Sequence, residues 1–153
     1  MLLRPATPAD LPGLLAVQEE GALAGFAHIF PPAEYPYPRA ELRAAWEAEL
    51  ADPAVDVLVT AEEIRGFAAL RGNELLHFGT AVPAWGTGLA AELHDQLLPR
   101  LAAAGMPYAT LQVMRENHRA RRFYERRGWR ATGRVTREPF PPHPDLLEYR
   151  RPL

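Results

Sequence analysis

One segment in the middle of the chain limits its fold more than any other: a strand-like run, two glycines and a helix-like run follow one another directly. Residues 73–82 (NELLHFGTAV) have the alternating character of a strand. After Gly86 and Gly88, leucines recur at every fourth position, at Leu89, Leu93, Leu97 and Leu101. That spacing predicts a helix ending near Gly105, with a kink at Pro99. Because glycine weakens a helix start, two glycines there raise the question of what the backbone gains from them.

The rest of the chain alternates strand-like and helical runs in the same way. Strands are predicted at residues 2–4, 55–61, 64–72, 108–114, 129–136 and 146–150, and helices at residues 8–24, 39–52 and 117–127. The two runs between 55 and 72 read as an antiparallel hairpin. Such interleaving predicts an α/β or α+β fold with a mixed central sheet. No repeat or composition break marks a second domain, so residues 1–153 are expected to form one domain.

Composition excludes several kinds of chemistry. The 153 residues contain no cysteine, and all 17 basic residues are arginine. Disulfides, thiolate nucleophiles, cysteine-bound metals and lysine Schiff bases are therefore excluded. No histidine pair has metal-ligand spacing, so no metal is predicted. No apolar run reaches the roughly 20 residues that a membrane span needs, and no signal-peptide pattern is present, so we expect a cytoplasmic protein without a membrane partner.

Charge is unevenly distributed along the chain. Residues 1–114 carry six arginines and 14 acidic residues, whereas residues 115–153 carry 11 arginines and five acidic residues. The C-terminal quarter is therefore suited to an anion, although a solvated arginine-rich helix explains the same pattern. Nucleic acid is not predicted as a partner, because a chain with a pI near 6.2 has no wider basic surface.

The glycine turn has the chemistry of a phosphate site. The first amides of a helix lack internal partners and carry the positive end of the helix dipole, and without Cβ atoms they can surround a phosphate oxygen. The segment is not a P-loop, because the G-K-[ST] ending is missing, and Glu92 occupies the third position of a G-x-G-x-x-G motif. An ordinary turn that starts a helix would explain it equally well.

A second motif, NHRARRFYERRGW, occupies residues 117–129. Asn117 is suited to cap a helix and Gly128 to end it. Ala120, Phe123 and Tyr124 share one face of that helix. Taken alone, Tyr124 is either a core aromatic with its hydroxyl at the rim or a functional phenol.

Together the two segments resemble the GNAT superfamily of acyl-CoA-dependent N-acyltransferases. The family's glycine motif, [QR]-x-x-G-x-[GA], aligns with residues 85–90, where Gly88 and Ala90 match and Trp85 departs. The later family pattern, N-x-x-A-x-x-F-Y-E-x-x-G-[FW], is matched at every fixed position from Asn117 to Trp129. The resemblance implies a mixed, mostly antiparallel sheet of about six or seven strands flanked by about four helices.

The resemblance also implies a reaction: transfer of an acetyl group from acetyl-CoA to a primary amine of a small molecule or peptide, by direct attack in a ternary complex. A non-catalytic acyl-CoA-binding sensor on the same fold is the alternative. Homodimers are common in the family, but no sequence feature indicates an interface.

The family's coenzyme-binding positions fall on the strand end, the turn and the later helix. They correspond here to Thr80, Ala81, Val82, Trp85, Gly86, Thr87, Gly88, Leu89, Ala90, Asn117, Arg119, Arg122 and Tyr124. The turn amides would hold the pyrophosphate, Asn117 and the strand end would bind the pantetheine arm, and Tyr124 would protonate the departing thiolate. Arg119 and Arg122 would hold the 3′-phosphate, or form a solvated face. We expect Trp85, with its single indole N–H, to weaken phosphate binding.

The acceptor amine also needs a base. Strict strand alternation places Leu76, Phe78 and Thr80 on one face and Leu75, His77 and Gly79 on the other. If the apolar set faces the helix after the turn, His77 points to the acceptor as a candidate base, or is a half-buried structural histidine. Glu74, Glu20 and His28 are alternative bases. Glu20, His28, Tyr35 and Tyr37 are the candidate acceptor contacts, and the acidic N-terminal part favours a cationic acceptor.

Overall fold

The computed structural model describes residues 2–153, which form seven strands and four α-helices. In chain order these are β1 (Leu3–Pro5), α1 (Leu11–Gly25), α2 (Arg39–Ala51), β2 (Asp56–Thr60), β3 (Gly66–Arg71), β4 (Glu74–Thr80), α3 (Leu89–Ala102), β5 (Tyr108–Met114), α4 (His118–Arg126), β6 (Arg130–Arg137) and β7 (Asp145–Pro152). The predicted fold class is confirmed. Within this range no helix is both long and apolar enough to cross a bilayer.

The seven strands form one sheet in the order β1-β2-β3-β4-β5-β7-β6. Every neighbouring pair is antiparallel except β4 and β5. Two hydrophobic clusters lie on opposite faces of this sheet: α3 and α4 pack on one face, and α1 and α2 on the other. We call these the α3 face and the α2 face.

The sheet opens between its two parallel strands. Residues of β4 and β5 pair only at Glu74 with Thr110 and at Leu75 with Leu111. Both strands continue past that point, β4 to Thr80 and β5 to Met114. The strands therefore diverge, and we call the resulting gap the β4–β5 cleft.

Leucines of α3 fill the core of one face, as their spacing predicts. Leu93, Leu97 and Leu101 are fully buried and pack with Trp129 and Tyr149. The helix continues through Pro99 and ends at Ala102, close to the predicted end near Gly105. On the opposite face, Leu11, Leu14 and Val17 of α1 and Trp46 of α2 are buried against β2 and β3.

A β-bulge changes the alternation of β4. Ala69 of β3 pairs with His77, but its neighbour Leu70 pairs with Leu75, so Leu76 is an extra residue. Leu75 and Phe78 consequently pack on the α3 face, and Leu76 and His77 on the α2 face. The predicted placement of Leu75 and Leu76 was wrong because one inserted residue reverses the in–out order of the strand. His77 and Phe78, which follow the bulge, lie on the predicted faces.

Candidate active site

The glycine turn connects β4 to α3 at the open end of the β4–β5 cleft. Gly86 has φ +77° and Gly88, the N-cap of α3, has φ +91°, both in the left-handed region. A Cβ at either position would meet no atom within 4 Å, so glycine is needed for the backbone conformation rather than for space. Among residues 2–153, neither amide finds a hydrogen-bond partner. The turn therefore presents two free N–H donors at a helix start.

The indole N–H of Trp85 is used within the protein and is not free for a ligand, while the weaker phosphate binding expected from Trp85 stays a prediction. Its Nε1–H donates to the carbonyl of Thr80, at 3.0 Å. The indole ring is covered instead by the guanidinium of Arg119, whose Cζ lies 3.5 Å from the ring centroid. Trp85 thus holds an arginine of α4 beside the glycine turn.

The other turn residues show which backbone groups are already engaged. The N–H of Ala81 donates to Arg65 beside β3, at 2.8 Å, and Val82 begins a short 3₁₀ turn. The hydroxyl of Thr87 donates to the carbonyl of Ala84, at 2.5 Å. Leu89 is buried in the α3 core, and Ala90 is half-buried in its first turn.

The edge of β4 that faces the cleft is open from residue 76 to residue 80. Thr80 pairs with Gly66 of β3 on the other edge, but within the described chain no strand pairs with β4 on the β5 side beyond Leu75. An extended molecule carrying amide groups could add to this edge in the manner of a further strand.

Asn117 caps α4, as predicted. Its Oδ1 accepts the N–H of Ala120 at 3.2 Å, while its Nδ2 makes no hydrogen bond within residues 2–153. The capping oxygen is therefore used for the fold, and the amide hydrogens remain as donors.

The structure separates the two arginines that the sequence analysis grouped. Arg119 stacks on Trp85 beside the turn, whereas Arg122 lines a surface groove of about 480 Å³ with Arg121, Arg126 and Arg130. Arg119 is therefore the arginine placed beside the glycine turn.

Tyr124 lies behind the cleft on the α3 face. Its side chain is 8% exposed and packs against Phe123 and Trp129, with ring centroids 5.4 and 5.9 Å away. Burial raises the pKa of the Tyr124 phenol above its usual value, so the group stays protonated at neutral pH. Its hydroxyl makes no hydrogen bond to any described residue. The ring of Phe123, next to it in α4, lies 6.0 Å from Phe78 of β4.

His77 belongs to a cluster on the α2 face. Its Nε2 lies 2.9 Å from Oε1 of Glu49 in α2, and its ring packs 4.7 Å from the ring of Trp46. Sequence analysis missed Glu49. The available signal was its position three residues after Trp46, which puts both side chains on the same, buried side of the helix.

The candidate acceptor residues are not gathered in one place. Glu20 is exposed on α1, whereas Nε2 of His28 lies 2.8 Å from the carbonyl oxygen of Glu116, next to α4. Tyr35 is half-buried. The hydroxyl of Tyr37 is buried without a partner in the described range, and burial, reinforced by the charge of Glu19, raises its pKa to about 12. Glu74 lies at the closed end of the cleft, paired with Thr110.

Solved structures of known proteins share this architecture. A GCN5-related N-acetyltransferase from Rhodopseudomonas palustris has a TM-score of 0.77 and 19% identity, over 99% of this chain and 94% of that one. The PaiA N-acetyltransferase from Thermoplasma acidophilum, in complex with coenzyme A, gives 0.74 and 16%, over 99% and 98%. A ribosomal-protein-alanine N-acetyltransferase from Brucella melitensis gives 0.71 and 21%, over the full length of both.

Sequence comparison gives the family directly. No curated protein sequence matches the chain at a significant level. The family model described as "Acetyltransferase (GNAT) family" matches residues 4–129, which run from within β1 past the end of α4 and include the glycine turn, Asn117 and Tyr124. The chain belongs to the GNAT acetyltransferase family.

Proposed function

We propose that this protein is an acetyl-CoA-dependent N-acetyltransferase that acetylates a primary amine of a small molecule or peptide in a ternary complex. One observation carries the proposal: the unpaired edge of β4 leads directly into a turn whose Gly86 and Gly88 amides lack partners. An extended, amide-bearing molecule that ends in a diphosphate matches both features, and coenzyme A has that chemistry.

The residues present fit this coenzyme, which supplies an activated acetyl thioester when bound. The Gly86 and Gly88 amides and the start of α3 would bind the pyrophosphate. The free Nδ2 of Asn117 and the open edge of β4 would bind the pantetheine arm. Arg119, held on Trp85, would supply the cationic donor that the Trp85 side chain cannot.

Two side chains on opposite faces of β4 would handle the protons. The protonated phenol of Tyr124 lies on the α3 face and would donate to the departing sulfur. His77 lies on the α2 face and would accept a proton from the amine. Attack and departure would then take place on the two sides of one strand.

The acceptor side favours a positively charged amine. Glu49 contacts His77, and Glu138, from the segment between β6 and β7, is close enough to His77 for the two charges to interact. The related Brucella melitensis protein is named for a protein alanine acceptor, so peptide amines remain acceptor candidates beside small cationic amines.

Coenzyme binding is tested first. Acetyl-CoA at about 100 times its Kd should stabilise the fold by about 2.7 kcal/mol, whereas free adenosine phosphates should give a smaller rise in Tm. Arg119→Gln is expected to weaken acetyl-CoA binding by about tenfold, which corresponds to one charge-assisted hydrogen bond. Arg126→Gln, in the last turn of the same helix, is the matched control and should bind like the wild type.

Catalysis is tested second, with a panel of primary amines and detection of free thiol. Thiol release that depends on the amine supports the proposal. Coenzyme binding without release across the panel would instead identify an acyl-CoA-binding sensor. Absence of any thermal shift with acetyl-CoA would contradict both assignments.

A further inference from the structure

Glu49 and His77 form a hydrogen-bonded pair between α2 and β4. Oε1 of Glu49 lies 2.9 Å from Nε2 of His77. The imidazole is also held from the side by Trp46, whose own Nε1–H donates to Gln18 at 3.0 Å and whose ring meets Phe67 edge-on. The two groups that orient His77, Glu49 and Trp46, therefore both come from α2, and Gln18 of α1 holds Trp46 in turn.

This contact determines which imidazole nitrogen is free. A carboxylate oxygen accepts a hydrogen bond, so Nε2 of His77 carries the proton and Nδ1 holds the lone pair. Nδ1 has no hydrogen-bond partner among the residues that the structure describes. The His77 side chain is 38% exposed, so a ligand on the α2 face can reach the ring.

The second oxygen of Glu49 is unusual. Oε2 is buried and has no hydrogen-bond partner within residues 2–153. An unpaired buried carboxylate oxygen is unfavourable, and a positive charge beside it removes part of that cost. The group beside Glu49 that can acquire such a charge is His77, by taking up a proton.

A second acidic residue, Glu138, interacts electrostatically with His77. Burial raises the pKa of Glu138, and a hydrogen bond from the backbone of Phe140 and the charge of His77 oppose that shift. Among the described residues, Glu49 from α2 is hydrogen-bonded to His77, and Glu138, from the segment between β6 and β7, interacts with it electrostatically. Both of these groups are carboxyl groups.

We propose that Glu49 is the positioning residue of the catalytic base: it fixes the Nε2–H tautomer of His77 and stabilises the imidazolium that forms when Nδ1 takes a proton from the acceptor. This inference rests on the proposed acetyltransferase function. In the step, one N–H bond of the acceptor ammonium breaks, its proton binds Nδ1, and the neutral amine keeps the electron pair for attack. The imidazolium then returns the proton to solvent.

The pH profile of kcat/KM for the amine tests the charge on Glu49. Glu49→Gln keeps a hydrogen-bond acceptor but removes the negative charge. We expect kcat to fall about tenfold and the acidic limb of the profile to move about one pH unit lower, because the imidazolium loses its partner. The Kd of acetyl-CoA should change less than about twofold. Glu47→Gln, on the same helix and paired with Arg43 at the surface, is the matched control and should leave the profile in place.

Additivity gives a second readout. If Glu49 acts through His77, the double variant Glu49→Gln/His77→Gln should be no slower than His77→Gln alone. An unchanged acidic limb in Glu49→Gln, or fully additive losses of kcat in the double variant, would mean that Glu49 has only a structural role. Either result would overturn the inference.

An activity-independent readout separates this inference from the proposed function. Nitrogen chemical shifts of the His77 ring should show the Nε2–H tautomer in the wild type and a mixture of tautomers in Glu49→Leu, with the Trp46 resonances marking an intact fold. A wild type that binds acetyl-CoA but acetylates no amine would refute the proposed function. The tautomer measurement would still show whether Glu49 controls the protonation of the His77 ring nitrogens. The same tautomer mixture in the wild type and in Glu49→Leu would show that Glu49 does not fix the tautomer of His77, and would overturn the inference.

Discussion

At the scale of single residues, Tyr124 has a buried ring but a hydroxyl that the fold does not use. A buried tyrosine usually finds a partner for its hydroxyl, yet the Tyr124 hydroxyl bonds to no residue in the described chain. Its ring is well packed by Phe123 and Trp129, so the phenylalanine side chain would fill the same space. What the hydroxyl adds is a proton that is retained at neutral pH.

Replacing Tyr124 with phenylalanine should therefore slow the reaction without loosening the fold. We expect kcat to fall about 100-fold, the lower end of the range for losing a general acid, while the Kd of acetyl-CoA stays within about twofold. Stability should change by less than about 1 kcal/mol, because no protein hydrogen bond is lost. Single-turnover thiol release and calorimetric titration measure these quantities.

Tyr108→Phe is the matched control for removing a phenol. Tyr108 begins β5 and stacks under Arg150, at the end of the strand away from the glycine turn. It should retain wild-type turnover. If Tyr124→Phe also kept the wild-type rate under conditions where chemistry limits turnover, Tyr124 would not be the proton donor.

Residues that belong to a local motif could be identified from the sequence, and residues that act through distant partners could not. Gly88 was recognisable because a left-handed helix cap favours glycine, and Asn117 because its side chain caps the following helix. Glu49 pairs with His77, a residue 28 positions away in another element. That contact depends on tertiary packing, which the sequence around either residue does not specify.

At the scale of elements, the glycine turn is defined by backbone conformation. Gly88→Ala tests this directly, because the added methyl group has open space around it and only the φ of +91° opposes it. We expect a loss of about 1 kcal/mol in stability from the left-handed conformation, measured by urea unfolding. Acetyl-CoA affinity should fall as well, because relaxing the turn moves its free amides.

Gly21→Ala is the opposite case. Gly21 lies inside α1, and a methyl group there also meets nothing within 4 Å. Because alanine is the better helix former, this variant should gain about 0.5 to 1 kcal/mol. A stabilised Gly88→Ala would show that the turn does not require its left-handed residue.

Strand β4 shows why element boundaries are easier to predict than side-chain directions. Its extent follows from its pattern, but the bulge opposite Ala69 and Leu70 reverses the order of Leu75 and Leu76. A single extra residue leaves no mark in an alternating apolar sequence, because both leucines suit either buried face.

At the scale of the whole molecule, the sequence predicted the interleaved elements and their mixed sheet, but not the opening between β4 and β5. Parallel pairing of these strands stops at Leu75 and Leu111, and α3 and α4 pack on one face of the sheet there. A buried hydrogen bond joins α3 to the residue that follows α4. Nε1–H of Trp129, which follows α4, donates to Nε2 of His94 in α3 at 3.0 Å, and both side chains are almost fully buried.

The His94–Trp129 bond requires a neutral imidazole, which makes stability depend on pH. Burial lowers the pKa of His94 below its usual value near 6.5, and the neighbouring Asp95 only partly offsets this. Below about pH 6.5, His94 therefore binds a proton in the unfolded chain but stays neutral in the folded chain until the pH reaches the folded pKa. The contribution of His94 is complete above that pH and is lost as the pH falls towards the folded pKa, with a slope of at most about 1.4 kcal/mol per pH unit.

His94→Gln isolates the contribution of His94 to the pH dependence of stability. A glutamine oxygen can accept the indole N–H but cannot be protonated in this range, so the free energy of unfolding, measured in urea between pH 5 and 7, should vary less with pH than in the wild type. The comparison uses slopes, so a general loss of stability in the variant does not obscure it. His118→Gln, at an exposed histidine of α4, is the control for removing one imidazole. Equal slopes in the wild type and His94→Gln would mean that the link between α3 and the segment after α4 tolerates a charged histidine, and that acid sensitivity of the fold originates elsewhere.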